Sequence, residues 1–504
     1  MSPQLLLIFV AGYFLLLLVV AYFTSKNSTN EAFFNGNKNS NWMLVAFGMI
    51  GTSLSGVTFV SVPGTVGNFD GEMHKAFGYM QVVIGYFLGY IVIAYVLLPL
   101  YYKLNLTSIY DYLDERFGAV AHKTGSLFFI ISRTIGATAR LYLVINVIQI
   151  FILDGLGVPF TITALIILLM ILLYTFEGGV KTIVYTDTLQ TTFMLAGLII
   201  CIVCIMQNLN LHLHSSLNEL SSNGFTNIFN FDINSKSFFI KQIIGGMFIT
   251  ISMTGLDQEM MQKNISVKTL KNSRKNVLSF SLVLVIVNFL FLLLGGLLYV
   301  YLMHNGGVYD GKTFISGGKN IIGDDVFPTV ALQLLPSAIS LIFIIALISA
   351  LFPSADGALT ALTSSFCIDM LAIKKRQDMN EQRKKRLRKT VHICFAFVFL
   401  ICILVFKAIN DKSIIGIILD LASYTYGPLL GLFAFGIITR RNLKQGWPIV
   451  AVCFISPLIC YVLSKNASLW FNGYQIGIEL LLINGILTFT GLYLISTKTK
   501  EQNG

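Results

Sequence analysis

Apolar residues in this chain fall in long unbroken runs, separated by short polar segments. About 20 apolar residues carry a helix across the hydrocarbon core of a bilayer. Thirteen runs reach that scale, at about 3–23, 42–64, 74–102, 124–152, 157–176, 182–207, 238–260, 276–303, 328–368, 390–408, 413–437, 445–465 and 471–495. Transmembrane β-strands alternate apolar and polar positions, and these runs do not, so a membrane barrel is excluded. The expected fold is an all-α polytopic membrane protein with about 13 transmembrane helices. The first run has no basic start and exceeds a signal-peptide core, so it is read as a retained span.

Composition agrees. Of 504 residues, 55% are hydrophobic and 12% charged, with 35 Lys+Arg and 24 Asp+Glu for a net charge of +11. So few charges do not cover the surface of a soluble chain of this length, and the high hydrophobicity excludes disorder. The basic excess follows sidedness. With the amino terminus outside and thirteen crossings, the inner segments hold 25 Lys+Arg, Lys263 among them, and the outer segments hold 8. That split places the carboxyl terminus in the cytoplasm of a cell-membrane protein. No segment is polar enough to fold as a basic nucleic-acid-binding domain. The sequence Cys201-Ile202-Val203-Cys204 lies inside an apolar run and is read as helix packing.

Polar groups inside spans need partners and mark function. The second span carries Gly48, Gly51, Thr52, Ser53, Ser55, Gly56 and Thr58, followed by Pro63-Gly64. Such a segment either unwinds, freeing carbonyls for a cation and hydroxyls for a solute, or packs tightly through small residues. Arg133 and Arg140 lie seven residues apart on nearly one face of the fourth span. Arg133 is near the inner end, where it snorkels or pairs. Arg140 is near the middle, where a carboxylate of the protein or of a solute would satisfy it. Asp187 sits about two turns inside the sixth span, as a hard-oxygen cation ligand or a proton carrier. The seventh span repeats the breakable pattern, with Gly245, Gly246, Phe248, Thr250, Ser252, Thr254 and Gly255. The ninth run contains Ser349, Pro353, Ser354 and Asp356, and Pro353 frees a carbonyl one turn earlier. There the readings are a cation site or a proline kink with Asp356 capped locally.

Two interrupted spans five apart predict an inverted five-plus-five repeat. The expected organisation is a first helix and loop over 1–41, a first repeat over 42–207, an extracellular loop over 208–237, a second repeat over 238–437, and two further helices with a cytoplasmic tail over 438–504. The loops near 208–237 and 304–327 read as surface connections or a partial lid.

These stretches resemble the sodium/solute symporter family, whose members have the LeuT-type fold. The likeness rests on Glu31-Ala32-Phe33-Phe34-Asn35-Gly36, on Leu106-Thr107-Ser108-Ile109-Tyr110-Asp111 with Arg116-Phe117, and on Gly178-Gly179-Val180-Lys181 with Thr186-Asp187 and Gln190. It continues through Gly255-Leu256-Asp257-Gln258 and Ser354-Ala355-Asp356-Gly357-Ala358-Leu359. The resemblance implies alternating access and a sodium ion held by main-chain oxygens at Gly51, Leu54, Ala350 and Pro353, with the Ser354 side chain. Pro353 stands where the family has a serine. A second sodium site, as bacterial sialic acid symporters of the family have, would use Asp187, with Asp356 and Gly357 at the positions of its serine pair. Similarity to those members points to Ser53, Ser55, Thr58, Gln81 and Phe248 around the solute, with Arg140 as carboxylate clamp.

The expected function is sodium-coupled import of a small organic solute, an organic acid such as a sialic acid. A sodium-coupled sugar or polyol carrier and a proton-coupled carrier using Asp187 and Asp356 are the alternatives. No metal-spaced His pair, phosphate loop or nucleophile constellation suggests an enzyme, and no repeated carbonyl loop suggests a channel filter.

Overall fold

The computed structural model describes residues 3–25, 33–34, 38–67, 75–309, 314–316, 319–321, 323–409, 414–444 and 446–498. Of the motif around Phe33, residues Glu31, Ala32, Asn35 and Gly36 lie outside them.

In lipid every backbone group must be satisfied within its own segment, so the apolar runs become helices. In chain order these are α1 (Pro3–Ser25), α2 (Trp42–Ser53), α3 (Gly56–Gly64), α4 (Tyr79–Lys103), α5 (Ala119–Ile148), α6 (Phe160–Phe176) and α7 (Thr182–Asn208). The second half holds α8 (Phe239–Thr250), α9 (Gln258–Ile265), α10 (Leu270–His304), α11 (Ser337–Ser365), α12 (Glu381–Ile409), α13 (Ile414–Thr425), α14 (Gly427–Ile438), α15 (Trp447–Trp470) and α16 (Leu480–Ile495). Among the described residues, eight helices are long and apolar enough to span a membrane, and three bent pairs bring the number to 11. α6 and α16 are shorter apolar helices.

The bends fall where the small-residue stretches lie. α2 and α3 meet at 52°, and the segment Phe239–Gly255 meets α9 at 65°. Asp257 starts α9 by accepting the amides of Glu259 at 2.9 Å and Met260 at 3.3 Å. A third bend of 47° separates α13 from α14. Gly179, at φ 53°, turns the chain between α6 and α7, where a Cβ would run into Phe33.

Two expectations change here. The seventh apolar run was read as ending near 260, with Lys263 in an inner segment. Past a 65° bend the chain continues as α9, and every residue from Gln258 to Ile265 is buried. The charged residues that ended the apolar pattern continue the fold, because their partners come from other helices. The ninth run holds no sharp proline kink: α11 passes through Pro353 as one helix and closes in a π turn, Phe366–Met370. The loops also carry structure: a helix at Leu213–Ser222, and an antiparallel sheet of Val308–Tyr309, Phe314–Ser316 and Lys319–Ile321 with Phe314 opposite Ile321. Gly323 packs onto the end of α3, where a Cβ on Gly64 would strike its carbonyl.

Candidate functional site

A cavity of about 110 Å³ opens at the break between α2 and α3. Thr52, Ser53, Ser55 and Thr58 line one side, and α5 contributes Arg133 and Arg140. α8 and its π-turn extension contribute Thr250, Met253 and Thr254, and α4 contributes Tyr79, Tyr86 and Tyr90. Ser55, the residue before α3, makes no side-chain cap bond, so its hydroxyl remains available beside the first amides of that helix. The tyrosines were not singled out in the sequence, although their spacing of seven and four places them on one face of α4. Tyr79 and Tyr86 share a hydroxyl contact of 3.2 Å, and the Tyr90 hydroxyl lies 3.5 Å from that of Thr254.

The two arginines have different fates. Arg133 is buried and bonded to Glu259, with Asp257 at 3.8 Å. Arg140 is half-buried at the cavity wall, and among the described residues no carboxylate lies within 4.0 Å of it. The structure thus brings Ser53, Ser55, Thr58 and Arg140 together. Gln81 sits apart, in a second cavity of about 560 Å³ beneath the loop around Asn230. There its amide donates to the Gly78 carbonyl at 3.0 Å and accepts from the Asn230 amide at 3.3 Å. Phe248, half-buried on α8, lies outside the first cavity's lining, which takes Ile249 and Thr250 from that turn.

Below the cavity, the end of α2 approaches α7 and α11. The break after Ser53 leaves the last carbonyls of α2 outside the helical ladder. Leu54, Ala350, Pro353 and Ser354 are all buried. Gly51 packs so closely that a Cβ there would strike the Thr191 hydroxyl and lie 3.5 Å from the Pro353 ring. Ser354 donates to the Leu351 carbonyl at 3.1 Å, which leaves its oxygen lone pairs free. The Thr191 hydroxyl is buried with no hydrogen-bond partner. It therefore offers a side-chain oxygen beside Gly51 and Pro353, where the family's serine is missing. Sequence spacing held a signal for it: Asp187 and Thr191 are one turn apart on one face of α7.

Asp187 is fully buried, and a Cβ on Gly48 would come within 3.1 Å of its own Cβ. Its Oδ2 accepts from the Lys263 ammonium at 2.7 Å and faces the Thr52 hydroxyl at 3.2 Å. Lys263 also donates to Thr52 at 2.7 Å and lies 3.6 Å from Glu259. Asp356 is held separately, by the Tyr174 hydroxyl at 2.7 Å and the Gly357 amide at 2.5 Å.

The family model described as the sodium:solute symporter family matches residues 33–448. The chain belongs to that family. Its members are membrane transporters, not enzymes, and their driving ion is sodium. The chain is 23% identical to the sodium/sialic acid symporter SiaT of Proteus mirabilis, covering 84% of this chain and 83% of that one. It is 22% identical to the sodium/sialic acid symporter NanT of Aliivibrio fischeri, covering 93% and 90%. Among solved structures, a substrate-bound, outward-open Na+-coupled sialic acid symporter aligns with a TM-score of 0.80 at 19% identity, over 98% of this chain and 99% of the other. The LeuT-type fold expected from the resemblance is therefore the fold of this chain.

Proposed function

We propose that this symporter imports a small organic anion, with Arg140 as the ligand for its carboxylate. The observation that carries the reading is Arg140 itself. It is a guanidinium at the wall of an intramembrane cavity, without an ion-pair partner among the described residues, while Arg133 on the same helix has two. An unpaired cation at that depth is costly, and a solute carboxylate in bidentate geometry offsets the cost. The amino end of α3 contributes amides of the same positive sense. Hydroxyls of Ser53, Ser55, Thr58 and Thr254 suit the polar remainder of a hydroxylated acid. The sialic acid symporters SiaT and NanT support a sugar acid as the first candidate.

Sodium is held by the carbonyls of Gly51, Leu54, Ala350 and Pro353 and the hydroxyl of Ser354, with Thr191 supplying the oxygen that Pro353 lacks. It joins α2 to α11, so binding favours the arrangement in which the solute cavity is complete. The excess of Lys and Arg in the inner segments supports an amino terminus outside and a carboxyl terminus in the cytoplasm.

The test is uptake into proteoliposomes under an inward sodium gradient, with sialic acids, monocarboxylates, neutral sugars and polyols compared. Acid uptake should require sodium and survive collapse of the proton gradient. Arg140→Ala should raise the apparent KM for the acid about 10- to 100-fold, the range expected for losing a hydrogen bond to a charged group. Unchanged acid uptake in that variant removes the clamp. Uptake that follows the proton gradient at constant sodium favours the proton-coupled alternative.

A further inference from the structure

The second sodium position implied by the resemblance does not fit the residues that surround it here. Three observations say so. First, Asp187 Oδ2 accepts the Lys263 ammonium at 2.7 Å, and the same ammonium reaches Thr52 at 2.7 Å and Glu259 at 3.6 Å. A fixed positive charge already sits among oxygens from α2, α7 and α9. Second, the chain has no hydroxyl at 357. A Cβ on Gly357 would strike Glu259 Oε1, so the space of that side chain holds a carboxylate oxygen belonging to α9. Third, that carboxylate is itself anchored, because Arg133 bonds the other oxygen of Glu259. Lys263 and Glu259 are 3% and 2% exposed, so neither swings into solvent without dismantling α9.

We propose that Lys263 is a built-in counter-cation that takes the place of a second sodium at Asp187, leaving this symporter with a single sodium site. The inference rests on the sodium-coupled reading above. An ammonium and a sodium ion carry the same charge and seek the same oxygens, and two such cations on one buried carboxylate repel each other. The remaining oxygen, Asp187 Oδ1, is buried without a hydrogen-bond partner, and Lys263 already supplies a positive charge beside that carboxylate. Lys263 lies on α9, beyond the 65° bend, so the tether moves with the second broken helix. The carrier then keeps the electrostatic link between α2, α7 and α9 in every state and draws on one sodium ion per cycle.

The experiment measures 22Na+ binding to the purified full-length protein, with potassium as the replacing ion, and the sodium dependence of its thermal stability. The native chain should bind one sodium with a Hill coefficient near 1. Lys263→Ala should open a second site, giving two ions per chain and a Hill coefficient approaching 2. Lys263→Ala combined with Asp187→Asn should return the count to one. Two sodium ions on the native chain, or one on a folded Lys263→Ala variant, overturns the inference and leaves sodium coupling intact. If Lys263→Ala does not fold, the native count decides alone. No sodium binding by the native chain overturns both readings.

Discussion

Arg133 and Arg140 lie two turns apart on α5, both at the wall of one cavity, and they do opposite work. Arg133 is closed into a network with Glu259 and Asp257, and Lys263 and Asp187 continue it. Arg140 has no such partner among the described residues. The network holds each of its two cations between carboxylates of the chain itself, so it is a fixed joint between helices. On the proposed reading, the cavity leaves a charge for a solute that arrives from outside. An intramembrane ion therefore signals a ligand only after its neighbours are known.

The largest effect that tests this contrast is on stability. Arg133→Ala strands buried carboxylates and should destabilise the protein by about 3–5 kcal/mol, as removing one partner of a buried pair does. The measurement is the Tm of the purified protein without solute. A Tm loss of equal size in Arg140→Ala would erase the distinction between the two arginines.

A smaller effect sharpens the cavity side. Arg140→Lys keeps the charge and loses the planar fork. It should raise the apparent KM for a carboxylate about tenfold, equivalent to about 1.4 kcal/mol. An unchanged KM would mean that charge alone, without bidentate geometry, holds the solute.

The smallest effect concerns the proposed sodium oxygens. Thr191→Val removes one neutral hydroxyl beside Gly51 and Pro353 while keeping shape. The sodium concentration for half-maximal uptake should rise about three- to tenfold, the scale of one hydrogen-bond-sized interaction. Normal sodium activation in Thr191→Val, with a large shift in Ser354→Ala, would assign the site to Ser354 without Thr191.

Much of the fold is legible in the chain, because a lipid solvent makes hydropathy almost sufficient to place helices. The broken segments around Gly51 and Gly255 were legible too, since small residues and hydroxyls cluster where the helices bend. Ser53, Ser55, Thr58 and Arg140 line one cavity. Gln81 faces a different cavity, because a position on a helix does not say which neighbour covers it. Lys263, counted with an inner segment, proves buried. A charged run after an apolar one reads as a loop, and only contacts from α2, α5 and α7 make it buried structure.

By itself, the sequence determined that this is a helical membrane protein and that helices break near Gly51 and Gly255. Those properties follow from local composition, because each residue meets the same apolar solvent. The tertiary structure alone decided which charges cancel. Pairing joins residues more than a hundred positions apart, Arg133 to Glu259 and Thr52 to Asp187, and no local pattern encodes such a meeting. That is why Asp187 reads as a cation ligand or a proton carrier along the chain and as the partner of Lys263 in the fold.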